Sequence, residues 1–167
     1  MEIIIRNGIA TDLDAVVATF RACWLTSYRD LLPEDVRDAM TLDAAHALWI
    51  SALGPHPERE TLVAVVEHSV VGVARIGQDI QDPLRGHLFS LYVHPDLAGR
   101  GIGKSLLKNA IERLHVKGFS EITLWVFKSN SSALGLYEKE GFAVTGIERI
   151  DERWKIPEIQ MLQTSKG

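Results

Sequence analysis

The seven residues from Glu121 to Phe127 place apolar side chains on both alternating sets, Ile122, Leu124 and Val126 on one and Trp125 and Phe127, with Thr123, on the other. A strand of that kind has to be covered on both faces, since neither set can be left in water. The chain must therefore build a sheet with helices packed above and below it. With 167 residues, 46% of them apolar, it has material for one such domain over 1–167, burying roughly 70% of its unfolded surface.

The other elements follow from spacing. Glu2 to Ile9 reads as a strand, and Thr11 offers an N-cap with Asp12 and Asp14 in the first turn of a helix. That helix carries Leu13, Val17, Phe20, Trp24 and Tyr28 on one stripe. Pro33 opens a second helical stretch as its first residue, continued by Leu42 to Leu53 up to the break at Gly54, Pro55 and Pro57. Thr61 to Glu67 and Val70 to Ile76 form a hairpin across His68 and Ser69, and Gln78 to Arg85 is loop. A strand at His87 to Val93 leads to a helix from Gly101 to Val116 with Gly118 after it. Beyond the central strand come a helix at Ser131 to Glu140 and strands at Phe142 to Arg149 and Trp154 to Leu162. The order is β α α β β β α β α β β, a mixed α/β sheet with helices on both faces.

The chemistry-bearing segment is Leu91 to Ser105, where a strand runs through Gly99, Gly101 and Gly103 straight into a helix. Glycines permit unusual backbone dihedrals and close approach of a ligand to the main chain. A helix start presents unpaired N–H groups and a positive dipole end, which suits phosphate oxygens. Arg100 and Lys104 add positive charge. Register rules out two phosphate motifs: a P-loop needs glycine at Ala98, and a dinucleotide fingerprint needs it at Lys104 or Leu106.

What remains, x-x-x-Gly101-x-Gly103, resembles the acyl-CoA loop of the GNAT acetyltransferase superfamily, with Ala98 departing from the usual Gln or Arg. Leu124-Trp125-Val126, Asn130, Ala133, Tyr137-Glu138 and Gly141-Phe142 resemble the second half of that family's core. Trp24, Tyr28, Leu31-Leu32-Pro33 and Trp49 resemble the amino-terminal helices of a bacterial branch that includes polyamine acetyltransferases. The resemblance implies a mostly antiparallel seven-stranded sheet and acetyl-CoA as cosubstrate. It implies that the strand at Leu91 to Val93 and the strand at Trp125 splay apart to admit pantetheine, a ligand adding itself to a free strand edge. Cofactor contacts would then fall at Leu91, Tyr92, Val93, Ala98, Gly99, Arg100, Gly101, Ile102, Gly103, Lys104, Asn130, Ala133 and Tyr137, with the Val93 N–H near the thioester carbonyl. Asn130 could equally be only a helix cap.

The same resemblance gives Tyr137 the role of meeting the departing sulfur, against a plain core role beside Ala133 and Phe142. His87 stands where relatives of the branch often carry a glutamate that takes the amine proton; a solvent-facing strand histidine is the alternative. With a reference pKa of about 6.5, His87 would accept a proton from a lysine-like amine at a cost of roughly 5 kcal/mol. Transfer is expected to be direct, without an acyl-enzyme.

The acceptor is expected to be a small-molecule or peptide amine. Trp24 and Tyr28 would form one wall of its pocket; Glu148, Asp151 and Glu152 would form a negative second wall, or else a solvated turn. The net charge of −4 without a basic block argues against nucleic acid and weakly favours cationic acceptors. No apolar run is long enough to span a membrane, no metal-ligand spacing is present, and the sole cysteine, Cys23, reads as a packed thiol in a reducing, cytoplasmic compartment. Two rival functions stay open, a CoA-binding regulatory module and an interaction protein, and homodimer formation is left open too.

Overall fold

Glu121–Phe127 does lie inside a seven-stranded sheet, in a computed structural model that describes residues 1–165. The elements are β1 (Ile4–Asn7), α1 (Leu13–Leu25), α2 (Glu34–Ala39), α3 (Leu42–Leu53), β2 (Arg59–Val66), β3 (Ser69–Gln78), β4 (Gly86–Val93), α4 (Ile102–Val116), β5 (Glu121–Phe127), α5 (Ser131–Lys139), β6 (Ala143–Ile150) and β7 (Pro157–Thr164). The sheet order is β1-β2-β3-β4-β5-β7-β6, and every pair is antiparallel except β4 with β5.

The two faces of β5 are indeed both covered. Ile122, Leu124 and Val126 join a core with Leu106, Leu107, Ala110 and Leu114 of α4, while Phe127 packs with Phe20, Trp24 and Trp49 of α1 and α3. A second strand shows the same division: Ala74 and Ile76 of β3 face α4, whereas Val73 faces α1 and α3. Arg75, two residues on from Val73, shares the α1–α3 face.

Several boundaries differ from the sequence reading, each for a local reason. Thr11 is not the cap of α1. A 3₁₀ turn, Ala10–Asp12, precedes the helix, and the Asp12 carboxylate takes the Ile9 N–H at 2.8 Å while pairing with Arg6 at 2.8 Å. The stretch after Pro33 is two helices, because the backbone breaks at Met40 and Thr41 starts afresh, its hydroxyl accepting from the Ala44 N–H. The element order accordingly gains a helix, and Pro33 caps α2 rather than opening it. The hairpin turns on Glu67 and His68, both at positive φ, instead of on His68 and Ser69. Trp154 lies in the turn before β7, which begins only at Pro157.

β4 holds the feature that positions the site. Its parallel pairing with β5 covers only Gly86, His87 and Leu88 against Ile122, Thr123 and Leu124. From Phe89 onward the two strands part. Phe89 is itself a bulge, since Arg75 opposes Ser90 and the next residue, Ile76, opposes Leu88. A bulge sharpens local twist and bends the strand, which is how β4 turns away from β5.

Candidate active site

The wedge between β4 and β5 opens into a cavity of about 210 Å³, set against the α1–α3 face of the sheet. The His94 N–H bonds the Val71 carbonyl of β3. By strand alternation the main-chain groups of Val93 and Leu91 point the other way, into the wedge. One of them is already engaged: the Cys23 thiol donates to the Val93 carbonyl at 2.9 Å. Burial raises the Cys23 pKa to about 12, so this thiol packs α1 against β4 and is no nucleophile.

At the end of β4 the chain makes a 3₁₀ turn, Pro95–Leu97, and enters the glycines. Gly99 and Gly101 have φ of +78° and +82°, and Gly101 is the residue before α4. A Cβ at either would touch nothing within 4 Å. The glycines are required by backbone conformation, and the space above them is open. The first N–H groups of α4, on Ile102, Gly103 and Lys104, face that space with the exposed Arg100 and Lys104 beside it. Gly103 is different: it is helical, and a Cβ there would meet Leu136 and Val93 at an ordinary 3.6 Å.

Tyr28 lies in the turn after α1, which ends at Leu25, and not on the helix itself; it reaches across the wedge, its ring 5.9 Å from Tyr92 on β4 and 5.8 Å from Phe127 on β5. Asn130 caps α5 by accepting the Ala133 N–H at 3.2 Å and also lines the cavity, as do Ala133 and Tyr137. The Tyr137 ring lies edge-on to Phe142 at 5.9 Å, and burial pushes its phenol pKa up. Trp24, 1% exposed, forms part of the cavity floor with Phe20 and Trp49. The cavity thus brings together Trp24, Tyr28, His87, Leu91, Tyr92, Asn130, Ala133 and Tyr137, whereas Val93 and residues 98–104 of the glycine turn do not line it.

His87 is 6% exposed, not solvent-facing. The Thr123 hydroxyl donates to Asp79 at 2.8 Å, so the 2.7 Å contact between His87 Nδ1 and Thr123 Oγ1 requires the imidazole to donate. The tautomer is fixed with Nε2 as the free acceptor. Burial lowers the His87 pKa to about 4, an effect that Asp79 opposes and that the Arg149 and Arg59 charges reinforce. The residue is neutral at pH 7, and its proton affinity is lower than the reference value assumed from sequence.

The negative wall anticipated from Glu148, Asp151 and Glu152 does not form. Glu148 pairs with Lys128 at the surface, and Asp151 is gripped by Arg153 at 2.7 Å and Arg149 at 3.7 Å, which hold its pKa down at about 2. In its place the cavity is lined by Arg59, Arg75, Arg149 and Arg153, with Glu158 as the lining carboxylate. Arg149 lies 4.2 Å above the Trp125 ring and bonds Glu158 at 3.2 Å. Sequence reasoning missed these residues. Arg75 was the available signal, a lone charge inside the apolar strand Val70 to Ile76.

The chain matches the family model of the acetyltransferase (GNAT) family over residues 14–142, which spans the splayed strands and the glycine turn. It belongs to the GNAT acetyltransferase family. Acetyl-CoA is the cosubstrate of GNAT enzymes, and the chain is an acyltransferase. It is 28% identical over 146 residues to a protein of Mycobacterium tuberculosis named probable N-acetyltransferase Rv2775, covering 85% of this chain and 80% of that one. A solved PaiA N-acetyltransferase from Thermoplasma acidophilum, in complex with coenzyme A, superposes with a TM-score of 0.83 at 22% identity, over 99% of this chain and 100% of that one. A ribosomal-protein-alanine N-acetyltransferase from Brucella melitensis does so with 0.76 at 21%, over 97% and 99%. These likenesses establish the same GNAT fold. Among the described residues no helix is long and apolar enough to cross a membrane, and no cluster of three His, Cys, Asp or Glu could hold a metal.

Proposed function

We propose that the protein N-acetylates a primary amine of a small molecule or peptide by direct attack within the β4–β5 wedge, in a reducing, cytoplasmic compartment. The observation that carries the reading is the wedge itself, with a cavity lined by aromatic and polar side chains and an open glycine turn following β4. Acetyl-CoA supplies the thioester carbon that the amine nitrogen attacks.

The chain's own groups would act as follows. The wedge-facing N–H and C=O of Leu91 and the N–H of Val93 serve the pantetheine amides and the thioester carbonyl, one acceptor to each N–H. The N-terminal amides of α4, with Arg100 and Lys104, hold the pyrophosphate. Tyr137 donates a hydrogen bond to the departing sulfur. Its raised pKa makes full proton transfer to a thiolate of pKa about 8.5 more uphill than for a free phenol, so the bond strengthens as charge develops and the proton moves late.

The depressed pKa of His87 sets the order of events on the amine side. Removing a proton from an amine of pKa about 10.4 onto a group titrating near 4 is uphill by about 6 units, or ~9 kcal/mol. That is a large share of the total barrier for turnover at 1–10³ s⁻¹, about 13–17 kcal/mol. The amine therefore enters neutral, losing its proton to solvent. His87 Nε2 takes the second proton only after the C–N bond has begun to form and the nitrogen has become acidic. One C–N bond forms and one C–S bond breaks; the CoA sulfur takes its proton from Tyr137, and the amine proton passes through His87 to solvent, from which Tyr137 is re-protonated.

The test is a thiol-release screen with acetyl-CoA against polyamines, amino acids, peptide amino termini, aminosugars and small drugs, with the acetylated product identified by mass. Turnover with at least one primary amine is expected. Binding of acetyl-CoA without turnover of any amine would leave a binding module.

A further inference from the structure

The charge balance of the cavity wall is the observation left over. Arg149 and Arg153 have carboxylate partners, Asp151 and Glu158, at 2.7 to 3.7 Å. Arg59 and Arg75 have none: among the described residues no carboxylate lies within 4.0 Å of either guanidinium. Both line the cavity, half-buried, on neighbouring strands. The Arg59 guanidinium carbon lies over the ring of Phe89, the bulge residue, 4.0 Å from its centroid.

Arg75 is the more telling of the two. Its Nε is buried without an acceptor, as are the indole nitrogens of Trp24 and Trp49 in the same wall. Burial, and after it the charge of Arg59, pull the Arg75 pKa below its usual value. A half-buried cation without a counter-ion and a buried donor without an acceptor both oppose folding, so these residues work against stability as they stand. A wall so rich in donors and short of acceptors is complementary to an anion.

The anion is not a phosphate of the cosubstrate. Arg75 opposes Ser90 and Val93 opposes Gly72, so Arg75 sits three residues, about 10 Å, back along the strands from the end that leads to the glycine turn. Arg59 pairs with Gly77, which pairs with His87, five residues of β3 and about 17 Å from that end. Both lie on the acceptor side of the wedge.

We propose that the acceptor amine carries its own anionic group, a carboxylate or phosphonate, clamped by Arg59 and Arg75 while the amine faces His87 and the wedge. The acceptor class is then amino acids or aminophosphonates, and polyamines are repelled by the same two charges. The inference rests on the transferase reading above and narrows its acceptor.

The experiment compares matched acceptors in acetyl-CoA turnover: L-α-amino acids against their amides, 2-aminoethylphosphonate against ethanolamine, and spermidine. Calorimetric binding of the same compounds to the CoA-saturated protein runs alongside. Wild type should favour anionic members over neutral partners by about tenfold to hundredfold in kcat/KM. Arg75→Gln should erase that preference through KM, Arg75→Lys should restore part of it, and the melting shift given by acetyl-CoA should persist in both as evidence of folding. A preference for amino acids or for the phosphonate names the anion. Turnover in which neutral or cationic amines match or exceed their anionic partners overturns the inference and leaves the transferase reading intact. Arg75-dependent binding of carboxylates without any turnover upholds the anion site and removes the transferase reading. Absence of binding by every anionic compound overturns the inference as well.

Discussion

His87 donates through Nδ1 to the Thr123 hydroxyl at 2.7 Å, and that one contact decides which imidazole nitrogen is free for the amine. Thr123 can accept because its own proton goes to Asp79. The depressed His87 pKa then has a consequence for stability. Between pH 6.5 and about 4 the unfolded chain binds a proton that the folded chain refuses, so stability is full above the unfolded pKa and is lost as pH falls through that window. A shift from about 6.5 to about 4 corresponds to ~3 kcal/mol, or roughly 6–12 °C in Tm for a chain of this size. Thermal melts from pH 7 to 4 should show His87→Gln losing less Tm than wild type. In turnover, wild-type kcat/KM should show no enzyme limb near pH 6.5, only the amine's own ionisation, and His87→Ala should lower kcat by about 10²-fold without moving that limb. A wild-type limb near 6.5 that vanishes in His87→Ala would mean that the imidazole titrates normally.

Tyr137→Phe removes the hydroxyl and keeps the ring against Phe142. It should lower kcat by about 10²- to 10⁴-fold while acetyl-CoA affinity is nearly unchanged, since the lost bond forms chiefly as the sulfur departs. Single-turnover kinetics isolate that step. Equal rates for the two proteins would return Tyr137 to the core.

Gly101 and Gly103 should behave differently although they sit two residues apart. Gly101→Ala forces a side chain into φ +82°, at a cost of about 1–2 kcal/mol, and should weaken the melting shift produced by acetyl-CoA. Gly103→Ala meets only ordinary contacts and should keep that shift. Identical behaviour of the two variants would show that the conformation of the turn is not what matters.

Thr11→Ala should change Tm by less than about 2 °C, whereas Asp12→Ala, losing both the Ile9 N–H and Arg6, should cost about 1–2 kcal/mol and lower Tm by about 2–8 °C. Arg6 pairing, the largest influence, holds the Asp12 pKa down, so this contribution is present above the usual carboxylate range and fades as pH falls below it. Melts of both variants at pH 7 check the assignment.

The sheet and the turn were legible because they depend on local patterns. Two-sided apolarity at Ile122 to Phe127 demanded cover on both faces, and glycines between a strand and a helix pointed to a turn of unusual dihedrals, which the positive φ of Gly99 and Gly101 bears out. The helix start near Thr11 was misread because threonine and aspartate are both good caps, and only the approach of Arg6 from β1 selects Asp12. The arginines were out of reach for a related reason. Arg59, Arg75, Arg149 and Arg153 come from three strands and a turn, and whether each is paired depends on which carboxylates the sheet brings near. Acidity of the whole chain suggested a cationic acceptor, while the cavity, where binding is decided, carries the opposite sign.

The proposed reaction is direct transfer from acetyl-CoA to an amine held in the wedge. Its most direct measurement counts, in one reaction, the free CoA thiol, the acetylated amine and any acetyl left on the protein, using intact-mass spectrometry for the last. Thiol and acetylated amine should appear one for one, in amounts that depend on the amine, with the protein mass unchanged throughout. Thiol release at the same rate without any amine, or an acetylated protein that forms before product, would contradict the account.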